Sequence, residues 1–220
     1  MTTPGNRQNA IVMYSDPGSI HCHRVRLVLA EKNIQASIEH VDVDALPEDL
    51  RDLNPQASLP TIVDRDLVLY DARVIIDYLD ERYPHPPLMP ADPVSRSRTR
   101  LALYRIESDW YSLRPQTGQP SAVQAEQAQH LVESLTASVD VFSAMPFFLS
   151  ESYSVLDATL APLLWRLPSY GIVLPEAAAP VMDYAKRLFS RAGFAASLSP
   201  REKEMGVSIQ STHVNPQFSA

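Results

Sequence analysis

The feature that most constrains this chain is a concentration of proline between residues 84 and 93. The run Tyr83-Pro84-His85-Pro86-Pro87-Leu88-Met89-Pro90 is followed at once by Asp92-Pro93. Each proline fixes φ and removes a backbone donor, so neither a helix nor a central strand can pass through. The chain must therefore build two bodies, one on either side. The expected organisation is a first domain over 8–84, a proline-rich linker over 85–92, a second domain over 93–200 and a flexible tail over 201–220. A chain of 220 residues that is 45% hydrophobic has enough apolar material for both cores.

Before the linker the apolar spacing switches between two periods. Ala10 to Tyr14 is an apolar run closed by the turn Ser15-Asp16-Pro17-Gly18, and reads as a buried strand. Ile20, Val25, Val28 and Leu29 then form a helical stripe, with Ser19 as N-cap and Asn33 as the stop. Ser37 to Val43 is a second strand. Thr61-Ile62-Val63 and Leu67-Val68-Leu69-Tyr70 flank Asp64-Arg65-Asp66 as a hairpin, and Val74, Ile75, Tyr78 and Leu79 give a helix that must stop at Pro84. With a short irregular helix before the hairpin, this order is a βαβ unit followed by a ββα unit. It requires a mixed four-stranded sheet under helices, a thioredoxin-like layout.

After the linker only helical spacing remains, so the fold class is α/β plus all-α. Asp92-Pro93 supplies an N-cap and a first-turn proline. Leu103, Ile106, Trp110 and Leu113 make one face, and Leu101, Tyr104 and Tyr111 a second beside it, an arc broader than one neighbouring helix covers. Pro120 to Met145 reads as one helix with Val132, Leu135, Val139 and Phe142 inward. Ser154 with Asp157 three residues on forms a capping box opening an apolar helix through Leu167, and a last helix fits Ala179 to Ala192.

Charge narrows the function. Nineteen basic against 26 acidic residues give a net charge of −7, which disfavours an electrostatic grip on DNA, RNA or anionic lipid. Arg96, Arg98 and Arg100 do not share one helical face, and Arg105 has Glu107 and Asp109 close by; they read as a solvated or dimer-facing surface. Cys22 is the single cysteine, so no internal disulfide forms. Its neighbours His21 and His23 diverge by about 100° per residue on a helix, so no metal site is expected, and no cofactor. No apolar stretch approaches the roughly 20 residues of a membrane span, and the N-terminus lacks signal-peptide form, which points to a cytoplasmic protein.

A mixed α/β domain, a proline-rich linker and an all-helical domain together resemble the glutathione S-transferase superfamily. Ser19 to Leu29 is similar to its first-helix motif, Asn54-Pro55 and Leu59-Pro60-Thr61 to its Asn-Pro and cis-proline turn, and Tyr70-Asp71-Ala72 to its Glu-Ser site. Within the superfamily, Tyr78 to Pro90 and Ala161 to Pro168 resemble the stringent starvation protein A family, as do Leu53-Asn54-Pro55 and Leu27 to Lys32. That resemblance implies a homodimer that associates with RNA polymerase holoenzyme near the sigma factor in starvation and stress. It implies the transferase fold without its activity, and a partner-binding surface formed by Tyr83, Pro84, His85, Pro86 and Pro87.

The matching cleft residues are Ser19, Leu59, Pro60, Asp71 and Ala72. A transferase must hold a thiol as thiolate, and Ser19 stands where the activating group belongs, although an N-cap serine needs no further role. Asp71 is one methylene shorter than glutamate and Ala72 lacks a hydroxyl. Losing a hydrogen bond to a charged ligand costs on the order of 1.5 to 3 kcal/mol, about tenfold to a hundredfold in affinity. The alternative function is an active glutathione S-transferase using Ser19; a reductase acting through Cys22 is a third. Ser154 and Asp157 are expected to be structural.

Overall fold

The computed structural model describes residues 11–116 and 118–211. The chain divides into two compact units, one running through Pro87 and joined by Ala192–Arg201, the other formed by Leu88–Arg191 and the chain from Glu202 onward.

The first unit has the thioredoxin-like layout. Strand β1 (Ile11–Ser15) leads into helix α1 (Ile20–Glu31), β2 (Ala36–His40) and the short α2 (Glu48–Leu53). Strands β3 (Thr61–Asp64) and β4 (Leu67–Tyr70) form the hairpin, and α3 (Ala72–Arg82) follows. The sheet order is β2-β1-β3-β4, with β1 parallel to β2 and antiparallel to β3. The hairpin closes through Arg65 and Asp66, Arg65 taking a left-handed φ of 61°. Ile11, Met13 and Ile62 from the sheet and Val25, Val28, Ile75 and Leu79 from the helices are all buried.

The second unit is helical throughout. It opens with α4 (Pro93–Arg105), capped by Asp92, whose side chain accepts from the Ser95 amide at 2.8 Å. One π-helical stretch, Ile106–Tyr111, continues it, and the wider turn carries Ile106, Trp110 and Tyr111 into the core. The expected second face therefore splits: Tyr111 is buried and donates to the Thr159 carbonyl at 2.7 Å, while Leu101 and Tyr104 remain about 60% exposed, at 62% and 61%.

Three expected boundaries are corrected. Pro120 to Met145 is not one helix but two, α5 (Ser121–Ala137) and α6 (Val139–Ala144). Near the break Thr136 and Ser138 hydroxyls donate to the carbonyls four residues back, at 2.7 and 2.8 Å, an arrangement that loosens a helix where no glycine or proline warns of it. Helix α7 (Val155–Trp165) ends before Leu167, because the amides of Arg166 and Leu167 tighten onto carbonyls three residues back. Ala179 to Ala192 likewise divides into α8 (Ala179–Phe189) and the start of α9 (Ala192–Ser197).

Helix α9 belongs to the first unit, where the His23 ring lies 5.5 Å from that of Phe194 and its Nε2 is 3.0 Å from the Ser197 hydroxyl. The expected flexible tail over 201–220 is also corrected, since Pro200–Ser211 forms helix α10. Glu202 is fully buried there and pairs with Arg166 of α7, while its carbonyl accepts from the Trp165 indole at 2.9 Å. Gly206 lets the α10 backbone lie against the Trp165 ring, where a Cβ would collide. Residues 212–220 lie outside the described residues.

Candidate functional site

Sheet register decides which of the expected cleft residues meet. Tyr14 pairs with Thr61, and Thr61 with Tyr70. The exit of β1, the entrance of β3 and the exit of β4 are therefore at one end of the sheet. Ser19, four residues past β1, Leu59-Pro60, just before β3, and Asp71-Ala72, just after β4, gather at that end. The Leu59-Pro60 peptide is cis, as the resemblance implies.

The chemistry of that end is structural in character. Ser19 caps α1, its hydroxyl accepting from the Cys22 amide at 3.3 Å. Asp71 has a φ of 73°, in the left-handed region, and its carboxylate turns back onto its own helix. Oδ1 accepts from the Arg73 amide at 2.9 Å and the Val74 amide at 3.3 Å, so the acid that would meet a ligand amine already satisfies the first turn of α3. Ala72 is buried and has no hydroxyl to add.

Cys22 is fully buried, and burial pushes its thiol above the usual value, with the Ser19 hydroxyl acting against that shift. A thiol in this state is neither nucleophilic nor reachable. Iodoacetamide at pH 8 is expected to leave Cys22 unmodified in the native protein and to label it within minutes in denaturant, read by intact mass. Among the described residues no group of histidine, cysteine, aspartate and glutamate side chains could hold a metal ion.

The proline segment lies elsewhere. Helix α3 separates Asp71 from Tyr83 by eleven residues, about 16 Å at the helical rise, so the cleft and Tyr83-Pro84-His85-Pro86-Pro87 stand at opposite ends of one helix. Pro84, His85, Pro86 and Pro87 are exposed and Tyr83 is half-buried. The His85-Pro86 peptide is cis, which nothing in the sequence reading anticipated. Tyr83 is held from behind: Arg82 lies 5.6 Å from its ring centroid and is itself fixed to Asp64 at 3.0 Å, while Tyr78 donates to the same carboxylate at 2.7 Å.

The sequence matches the glutathione S-transferase N-terminal domain family over residues 13–87. It is 44% identical over 200 residues to a stringent starvation protein A homolog of Pasteurella multocida, covering 90% of this chain and 94% of that one. A Coxiella burnetii homolog of the same name is 45% identical over 202 residues, at 90% and 96% coverage. The chain belongs to the stringent starvation protein A family. Its fold is that of the glutathione transferases: an Omega-class enzyme structure from Trametes versicolor superposes with a TM-score of 0.77 at 23% identity, covering 87% of this chain and 90% of that one. In this member of the stringent starvation protein A family Ser19 and Asp71 cap the helices that leave one end of the sheet, and Pro84 to Pro87 are exposed beyond the far end of α3.

Arg96, Arg98 and Arg100 do not form a shared basic face. Arg96 donates to the Pro90 carbonyl at 3.0 Å, whereas Arg98 and Arg100 are exposed, and Arg105 pairs with Asp109 at 2.7 Å within its own helix. None of the described helices is long and apolar enough to cross a membrane.

Proposed function

We infer that this protein is a non-catalytic transcription regulator of the starvation and stress response, docking on RNA polymerase holoenzyme near the sigma factor through its first unit. Membership of the stringent starvation protein A family supports the regulatory reading, and a cytoplasmic location follows from it. One observation carries the docking surface: Pro84, His85, Pro86 and Pro87 are exposed together on a segment whose flanking Tyr83 is fixed. A stretch in which three of four residues are proline has few backbone states to lose when a partner seats on it, and His85 adds a donor and an acceptor.

A homodimer fits the same reading. Helix α4 presents Val94, Leu101 and Tyr104, each about 60% exposed, on one side, and apolar side chains grouped in this way favour an isologous partner. Direct nucleic-acid contact has no part in the proposal.

An active transferase using Ser19 is the competing reading, and the commitment of Asp71 to its helix cap speaks against it. The deciding experiment immobilises the purified protein and offers it RNA polymerase holoenzyme and, separately, glutathione with a chloronitrobenzene acceptor. Saturable retention of holoenzyme and no turnover above the uncatalysed rate are expected. Turnover lost on Ser19→Ala, with no holoenzyme retained, would replace this reading by the enzymatic one.

A further inference from the structure

Three of the four residues from Pro84 to Pro87 are proline, so the stretch offers a backbone N–H only at His85 and carbonyls elsewhere. Such a segment cannot anchor itself through its own donors. Whatever fixes it must bring a donor to a carbonyl. The ammonium of Lys32 does so, standing 2.6 Å from the Pro86 carbonyl oxygen.

Lys32 closes α1 at its C-cap, with its own amide bonded back to the Val28 carbonyl at 3.0 Å. Its side chain has no exposed surface, a rare state for lysine, and the charge is met by Asp80 Oδ1 at 2.7 Å, whose side chain is 11% exposed. Asp80 lies on the last turn of α3, three residues before Tyr83. One ammonium therefore ties the end of α1, the end of α3 and the Pro86 carbonyl together. Upstream, Arg82 stacks over Tyr83 and is pinned by Asp64. The exposed residues Pro84 and His85 lie between two fixed points.

We propose that Lys32 is the positioning residue of this surface, holding the Pro86 carbonyl so that Pro84, His85 and Pro87 are presented to a protein partner in a single arrangement. This rests on the docking reading given above. Pre-ordering the segment before contact removes an ordering cost that would otherwise be subtracted from affinity.

The test compares full-length Lys32→Met, Lys32→Arg, the double variant Lys32→Met/Asp80→Asn and the core control Ile75→Val. Each is measured well below its melting temperature for affinity to RNA polymerase holoenzyme and for hydrogen exchange over residues 80–88. Lys32→Met is expected to weaken binding about tenfold or more, the scale of one lost hydrogen bond to a charged group, and to speed exchange in that stretch alone. The double variant, which removes the Lys32–Asp80 ion pair as a whole, should remain as weak and decides the matter if the single variant fails to fold. Lys32→Arg should recover most of the loss. Ile75→Val should lose stability and keep affinity.

Affinity of Lys32→Met or of the double variant within twofold of the parent overturns the positioning role. Equal loss in Ile75→Val also overturns it, since global stability would then be the cause. If binding is unchanged in these variants yet lost when Pro84, His85 and Pro86 are replaced, the docking surface stands without Lys32. If the unaltered protein does not bind holoenzyme, both readings fall together.

Discussion

Replacing Pro84, His85 and Pro86 together by alanine is expected to lower retention of RNA polymerase holoenzyme at least a hundredfold, while the melting temperature stays within about two degrees of the parent. The two halves of that result have separate causes. All three side chains are exposed, so their removal takes no apolar surface out of either core. Replacing Pro84 and Pro86, in contrast, releases backbone freedom that the two prolines had restricted, and binding must then order those two residues at about 1 kcal/mol each. Two such terms amount to roughly thirtyfold in affinity, and the lost contact of the His85 ring, at about 1 kcal/mol, brings the total to about a hundredfold. Titrating holoenzyme over immobilised protein measures the first half and circular dichroism on heating the second. Retention equal to the parent would place the docking surface elsewhere on the first unit.

Proline composition by itself marked a rigid linker at this segment, and only the family resemblance pointed to a partner surface. Several structural features were legible from residues close together in sequence. The hairpin around Asp64-Arg65-Asp66, which the structure tightens to a turn at Arg65-Asp66, the Asp92-Pro93 helix start and the Ser154 to Asp157 capping box are local patterns whose physics is complete within a few residues. The misplaced features depend on partners distant in sequence. Glu202 lies in the polar stretch Arg201-Glu202-Lys203-Glu204, and its buried partner Arg166 stands 36 residues earlier. Lys32 gave no signal for the same reason, since its partners are 48 and 54 residues away.

The cleft shows a subtler limit. The loss of a hydroxyl at Ala72 was legible, but the turning of the Asp71 carboxylate onto its own helix was not, because an aspartate at φ 73° is a conformational choice rather than a composition. It also alters the relation between the two surfaces. Ser19 and Asp71 lie at the end of the sheet from which α1 and α3 depart, while Lys32 and Tyr83 lie where those helices finish. Each helix spans its full length between the two ends, so a substitution at Ser19 or Asp71 is one helix length away from the proline segment.

Asp157→Ala is expected to destabilise the second unit by about 3 to 5 kcal/mol, a large share of the roughly 5 to 15 that holds a typical domain. Asp157 is fully buried, and its two oxygens serve four donors. Oδ1 accepts from the Phe148 amide at 2.9 Å and the Tyr184 hydroxyl at 2.6 Å; Oδ2 accepts from the Ser154 amide at 2.8 Å and its hydroxyl at 3.1 Å. Burial raises the pKa of this carboxyl, and the hydrogen bonds from Phe148, Tyr184 and Ser154 act against that shift. Alanine leaves buried donors without acceptors, each costing about 1 to 3 kcal/mol, with less than full additivity because they share one site. Both tryptophans, Trp110 and Trp165, lie in the second unit, so their fluorescence in urea reports its unfolding directly. A second signature comes from pH. Tyr184 is raised well above 10 by burial first and by Asp157 next. A tyrosine raised in the folded state contributes stability that is complete below its unfolded value and is lost as pH climbs through the folded one. Tyr184→Phe should therefore cost about 1 to 2 kcal/mol at neutral pH and show a shallower alkaline decline, which Tyr14, Tyr78 and Tyr170, raised as well, keep from vanishing. A variant at Asp157 that unfolds at the parent's urea midpoint would mean that the junction of α7 and α8 is held by its aromatic packing, through Phe142, Phe148 and Tyr184, and not by the carboxylate at its centre.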